Sequence, residues 1–155
     1  MFLEKQTFMT VIDNTPLVSI DLVVINEKDE VLLGRRLNRP AKGFWFVPGG
    51  RILKNEALAD AFKRLTLEEL SKQYLIENAC LLGPYDHFYT ECVFNNNIST
   101  HYVAIAYILK TNCNELNSLP VAQQHSNYSW FAIEALLEND EVHTHTKLYL
   151  QAIDS

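Results

Sequence analysis

The chain has 155 residues, 48% of them hydrophobic, enough for one core of ordinary size and a single domain over 1–155. Thirteen basic against nineteen acidic side chains leave a formal charge of -6, which excludes a general basic field for nucleic acid, so an anionic ligand must be held by a few placed arginines. Cys80, Cys92 and Cys113 are odd in number and form no C-x-x-C pair, the first residues lack a secretory pattern, and no apolar run approaches the ~18 to 20 residues of a membrane span. A cytoplasmic protein with no membrane partner is the expectation.

In chain order, Leu17 to Ile25 is β-branched and apolar, the polar stretch Asn26 to Glu30 reads as a turn, and Val31-Leu32-Leu33 as a second strand. Phe44-Trp45-Phe46-Val47 is a short aromatic strand that Pro48-Gly49-Gly50 must stop and turn. A helix follows, with Asn55 as its expected N-cap and Glu56 in its first turn, at the positive end of the dipole. At 100° per residue, Leu58, Ala61, Phe62, Leu65 and Glu69 share one stripe, while Arg64 and Glu68 sit four apart at its edge. Residues 79–89 and 100–110 read as strands joined by an asparagine-rich loop, a candidate mobile segment over a site. Tyr128 to Phe131 reads as a last strand, and residues 133–138 and 142–153 as two closing helices.

The chemistry concentrates in Gly49-Gly50-x5-Glu56-x7-Arg64-x3-Glu68-Glu69, a glycine turn followed by a helix of ionisable groups. Glycines let a backbone approach a ligand closely, and helical carboxylates supply hard oxygens for Mg²⁺ or Mn²⁺. Glu69 reads as a metal ligand, with a snorkelling carboxylate as the bland alternative. Glu68 is either a second ligand or a solvated partner of Arg64, and Glu56 an orienting residue. Five arginines, Arg35, Arg36, Arg39, Arg51 and Arg64, fall within 30 residues, and Arg36 and Arg51 are the candidates for bidentate contact with a diphosphate. Asp21 interrupts an apolar strand, which leaves a salt bridge and a functional role equally open. Phe2 and Phe8 either pack in the core or stack on a nucleobase. Because Leu65 removes one carboxylate from the helix, a base must come from elsewhere, and Gln124-His125 offers a neutral oxygen ligand beside an imidazole suited to taking a proton from water.

Residues 49–71 resemble the Nudix box, G-x5-E-x7-R-E-U-x-E-E-x-G-U with U aliphatic, except that Leu65, Thr66 and Ser71 replace a glutamate, an aliphatic residue and the closing glycine. Segments along the chain, among them Asn38-Arg39-Pro40-Ala41, Trp45 to Arg51, Arg64-Leu65-Thr66, Thr100-His101-Tyr102-Val103 and Gln124-His125, resemble the GDP-mannose mannosyl hydrolase branch of that superfamily. The resemblance implies an α/β Nudix fold, an α/β/α sandwich with a mixed β-sheet, a homodimer, a GDP-sugar substrate and one Mg²⁺ (Mn²⁺ substituting) per subunit. It implies metal ligation by the Gly49 carbonyl, Glu69 and Gln124, and a base role for His125. It further implies diphosphate contacts from Arg36, Arg51 and Tyr102, support from Arg64, nucleotide contacts from Phe2, Leu3 and Phe8, and Asp21 and His87 near the sugar. The expected reaction is attack of water on the anomeric carbon with inversion, releasing GDP and free sugar. The alternatives are attack at phosphorus, giving a nucleoside monophosphate and a sugar 1-phosphate, and a binding module without turnover.

Overall fold

Strand β1 (Leu17–Ile25) organises the molecule, and its alternation explains which side chains reach which layer. The computed structural model describes residues 3–94, 97–116 and 125–154, with the backbone alone at 113, 125, 126 and 154. Ile20, Leu22 and Val24 pack on one face of the sheet with Phe62, Leu65 and Leu70 of helix α2 (Leu58–Leu70). Val23 and Ile25 pack on the other with Leu136 of α3 (Ile133–Leu137) and with Tyr149 and Leu150 of α4 (Thr144–Asp154). Each such side chain withdrawn from water stabilises the fold by about 1.5 to 3 kcal/mol. The result is the expected α/β/α sandwich.

The sheet is mixed. β1 runs parallel to β6 (Thr100–Lys110), in register from Leu17 opposite Tyr102 to Ile25 opposite Lys110, and β6 pairs antiparallel with β5 (Cys80–Tyr89). On its other edge β1 is shared. Its far end meets β2 (Glu30–Arg36) through Ile25 and Val31, while Ser19, Ile20 and Asp21 pair with Arg51, Gly50 and Gly49 of β4. β2 carries β3 (Trp45–Phe46) and β7 (His125–Ala132).

Several details differ from the sequence-based expectations for physical reasons. The glycine pair does turn away from β3, but Gly49 to Arg51 then form β4, because a backbone without side chains can lie against β1. α2 is capped by Ala57 rather than Asn55, which sits in the preceding turn at φ +67, and Glu56 lies outside the helix. Leu58, as its first residue, is exposed instead of joining the buried stripe. α2 ends on Ser71 at φ +59, the left-handed position a closing glycine would occupy. Helix α1 (Lys5–Asn14) had no expected counterpart. It packs Phe8, Val11 and Ile12 onto Leu17, Cys92 and Phe94 as a small separate cluster.

Candidate active site

A cavity of about 690 Å³ opens where β4 leaves β1, a size suited to a small-molecule ligand. Asp21 of β1, Arg36 of β2, Gly49 and Arg51 of β4, and Glu69 of α2 all line it. Phe8 of α1, His87 of β5 and Tyr102 of β6 complete the set of expected residues that the fold brings to one place.

The floor is set by glycine. A Cβ at Gly49 would collide with the Ile20 carbonyl oxygen, so bare backbone is required there, whereas one at Gly50 would stand 2.6 Å from Leu65 Cδ2 and would displace the end of that side chain. Gly49 N–H donates to Glu69 Oε1 at 3.3 Å. Glu69 is only 8% exposed, and burial, reinforced by nearby Glu68 and opposed by that bond and by Arg36, pushes its carboxyl up to about 7. Leu65, 2% exposed, fills the space under Gly50 where the usual box places a carboxylate.

Arg64 braces the turn that enters α2. It pairs with Glu56 at 2.7 Å, donates from Nη2 to the Arg51 carbonyl at 2.9 Å, and reaches Glu68 at 3.2 Å. Arg36 lies over the Phe46 ring and Arg51 over the Phe8 ring, at 5.6 and 4.8 Å from the ring centroids. Two guanidinium groups thus face the cavity across aromatic supports. Tyr102, which lines the same cavity and whose burial raises its pKa against the pull of both arginines, remains a protonated hydroxyl.

The opposite wall is built on α4. Tyr149 donates to Asp21 Oδ2 at 2.6 Å, and its oxygen lies 3.2 Å from His87 Nε2. Burial pushes the Asp21 carboxyl up to about 6, against the pull of the Tyr149 bond and Arg36. His145 stacks on His87 at 4.1 Å, and His143 stacks on Phe46 at 4.6 Å. Burial and the neighbouring imidazoles hold His87 down to about 3 and, with Arg36 adding to the effect, His143 to about 4, so both rings are neutral near pH 7. The start of α4 and the residue before it also fix the approach to the glycines. His143 N–H donates to the Trp45 carbonyl at 3.0 Å, and Val47 N–H donates to Thr146 Oγ1 at 3.2 Å.

Leu3 precedes α1, half-buried, and is not among the cavity's lining residues. Phe2 and Gln124 lie outside the described residues. His125, expected in a loop, has its backbone at the start of β7, opposite Arg36. Sequence reading missed Tyr89, which lines the cavity, His143 just before α4, and His145 and Tyr149 within it. Their only signal was a run of ring side chains at the head of a closing helix.

The family model described as NUDIX domain matches residues 15–152. The chain belongs to the Nudix family. A curated relative, the low-salt glycan biosynthesis protein Agl8 of Haloferax volcanii, is 40% identical over 144 residues, covering 93% of this chain and 86% of that protein. The MutT protein of Methanosarcina mazei superimposes with a TM-score of 0.71 at 20% identity, covering 91% of this chain and 95% of its own. The NUDIX domain of Shewanella oneidensis NrtR, solved with ADP ribose, gives 0.65 at 20% identity, with 98% of each chain covered. This protein is therefore a Nudix hydrolase in fold and family.

Nudix hydrolases generally work with Mg²⁺ or Mn²⁺, and the donors here suit a hard cation: a buried carboxylate at Glu69 beside bare glycine backbone. Among the described residues no group of three or more His, Cys, Asp or Glu side chains is placed to hold a metal. No helix among the described residues is long and apolar enough to cross a membrane.

Proposed function

We propose that this Nudix hydrolase cleaves GDP-mannose, and related GDP-hexoses, to GDP and free sugar by attack of water at the anomeric carbon with inversion. The observation that carries the reading is Leu65. With an apolar side chain buried where the usual box has a glutamate, the helix lacks one of the groups that would activate water against phosphorus. Cleavage of the sugar C–O bond asks instead for a stabilised leaving group and a modest base on the far side of the ring.

Glu69, the Gly49 carbonyl and Gln124 would hold the divalent cation, which supplies charge neutralisation to the departing diphosphate. Arg36, Arg51 and Tyr102 converge on the cavity as diphosphate contacts, and Arg64 holds the turn that carries Arg51. Phe8, already under a guanidinium, is placed to contact the base. Asp21 and His87 form the wall assigned to the sugar, and His125, opposite Arg36 in the sheet, takes the proton from water. The similarity to a glycan biosynthesis protein supports a nucleotide-sugar substrate.

A second reading has its own observation. Glu68 lines the cavity, so a Nudix pyrophosphohydrolase attacking phosphorus and releasing a nucleoside monophosphate and sugar 1-phosphate is the alternative. Incubation with GDP-mannose and Mg²⁺ in ¹⁸O-water separates them. GDP and labelled mannose are expected; GMP and mannose 1-phosphate would overturn attack at carbon and return the base to the helix.

A further inference from the structure

The geometry points to Tyr149 as a positioning residue that orders the protons of the cavity wall, fixing His87 as its Nε2–H tautomer so that His87 Nδ1 and the Asp21 carboxylate are both presented as acceptors. The inference rests on the assignment of that wall to the sugar, and the matching ligand chemistry is a pair of hydroxyl donors on one sugar ring.

With Asp21 as the carboxylate, the proton assignment follows from two distances. Tyr149 is fully buried and has one hydroxyl proton, which it gives to Asp21 Oδ2 at 2.6 Å, the short distance of a hydroxyl bonded to a charged acceptor. Its oxygen can then only accept from His87 Nε2 at 3.2 Å, so that nitrogen carries the hydrogen. His87 is neutral and 4% exposed, so Nδ1 keeps its lone pair. Nδ1 lies 4.0 Å from Asp21 Oδ2 and forms no hydrogen bond among the described residues. Two acceptors this close cannot satisfy each other; hydroxyl donors placed between them would satisfy both. The ring is further locked by His145, which stacks on it at 6° between planes, its Nε2 lying 3.3 Å from the Phe88 carbonyl, and Tyr149 itself is held edge-on by Tyr85 at 4.8 Å. Tyr149 never reaches the cavity, yet it decides what the cavity wall can bind.

Long-range ¹H–¹⁵N spectra of the ligand-free protein should show His87 protonated at Nε2. A proton at Nδ1 would overturn the inference, whether or not GDP-mannose proves to be the substrate. Tyr149→Phe keeps the ring and removes the hydroxyl. It should give a mixture of His87 tautomers and raise KM for GDP-mannose about tenfold, while the inhibition constant of GDP alone changes by less than about twofold. An unchanged tautomer, or equal losses for GDP-mannose and GDP, would reduce Tyr149 to a packing role. If the variant does not fold, the wild-type spectrum still decides. If the wild type leaves GDP-mannose intact, the functional reading fails while the spectra test the proton order separately.

Discussion

Arg64 grips Glu56 with two parallel bonds, Nε to Oε2 at 2.7 Å and Nη2 to Oε1 at 2.9 Å, and so ties the middle of α2 to the turn that precedes it. The same Nη2 holds the Arg51 carbonyl, which makes the position of one cavity arginine depend on another. Hydrogen bonding from Arg64 lowers the Glu56 pKa, so this pair's stabilisation is present above the ordinary carboxylate range and is lost as acid titrates Glu56 below it. Arg64→Lys replaces a planar fork by a point charge. It should cost about 1 to 3 kcal/mol, read as a lower urea midpoint at constant slope, and should weaken turnover more than a surface substitution does. An unchanged midpoint would mean the brace is ornamental.

Much of this site was legible in the sequence because the glycine turn and α2 are local. The spacing that puts Leu65 and Glu69 on one helix stripe needs no tertiary information, and both residues are buried as that spacing requires. Long-range partners were not legible. Asp21 reads as an anomaly in an apolar strand until α4, more than a hundred residues later, supplies the Tyr149 hydroxyl. α1 escaped notice because its few apolar residues cover a small cluster at the cavity rim, not the main core, and β4 escaped because glycine carries no strand signal.

Gly49→Ala tests the close approach at the cavity floor. The obstructing atom is the backbone oxygen of Ile20, which cannot swing aside without breaking the pairing of β1 with β4. A loss of more than about 3 kcal/mol, or failure to fold, is expected. Gly43→Ala is the control: it has open space but φ +91, so it carries only the strain of a left-handed backbone, about 1 kcal/mol. Equal losses would show that crowding at Gly49 is relieved elsewhere.

Glu69→Gln removes the buried charge but keeps its shape. In the wild type, Mg²⁺ with GDP should raise the melting temperature above that given by GDP alone, because ligand binding to the native state stabilises it. The variant should lose that increment, melt no lower than wild type without metal, and turn over at least about a hundredfold more slowly. A retained Mg²⁺ increment would remove Glu69 from the ligand set.

His125→Gln bears on the base. Its backbone opens β7 opposite Arg36, so the substitution leaves the strand pairing in place. Binding of GDP-mannose should remain near wild type while kcat falls by about 10² to 10⁴, the range for a lost general base. Unchanged turnover would take His125 out of the mechanism.

Three neighbouring imidazoles, His87 of β5, His143 just before α4 and His145 of α4, give a pH signature. Burial depresses His87 to about 3 and His143 to about 4, and lowers His145, below the ordinary value of 6.5. As pH falls below about 6.5 the unfolded chain takes up these protons and the fold does not, so this part of the stability declines with acidification, by about 1.4 kcal/mol per pH unit for each fully engaged group. Asp21, raised to about 6, and Glu69, raised to about 7, run the other way, because the fold protonates them before the unfolded chain does and gains stability from pH 7 down to the ordinary carboxylate range. A melting curve alone mixes the two signs, so the groups must be read one at a time. Imidazole resonances of His87 and His143 should stay at their neutral positions from pH 7.5 to 5.5. A midpoint near 6.5 at His87 would mean that water reaches the ring and that the wall is looser than its 4.1 Å stacking on His145 requires.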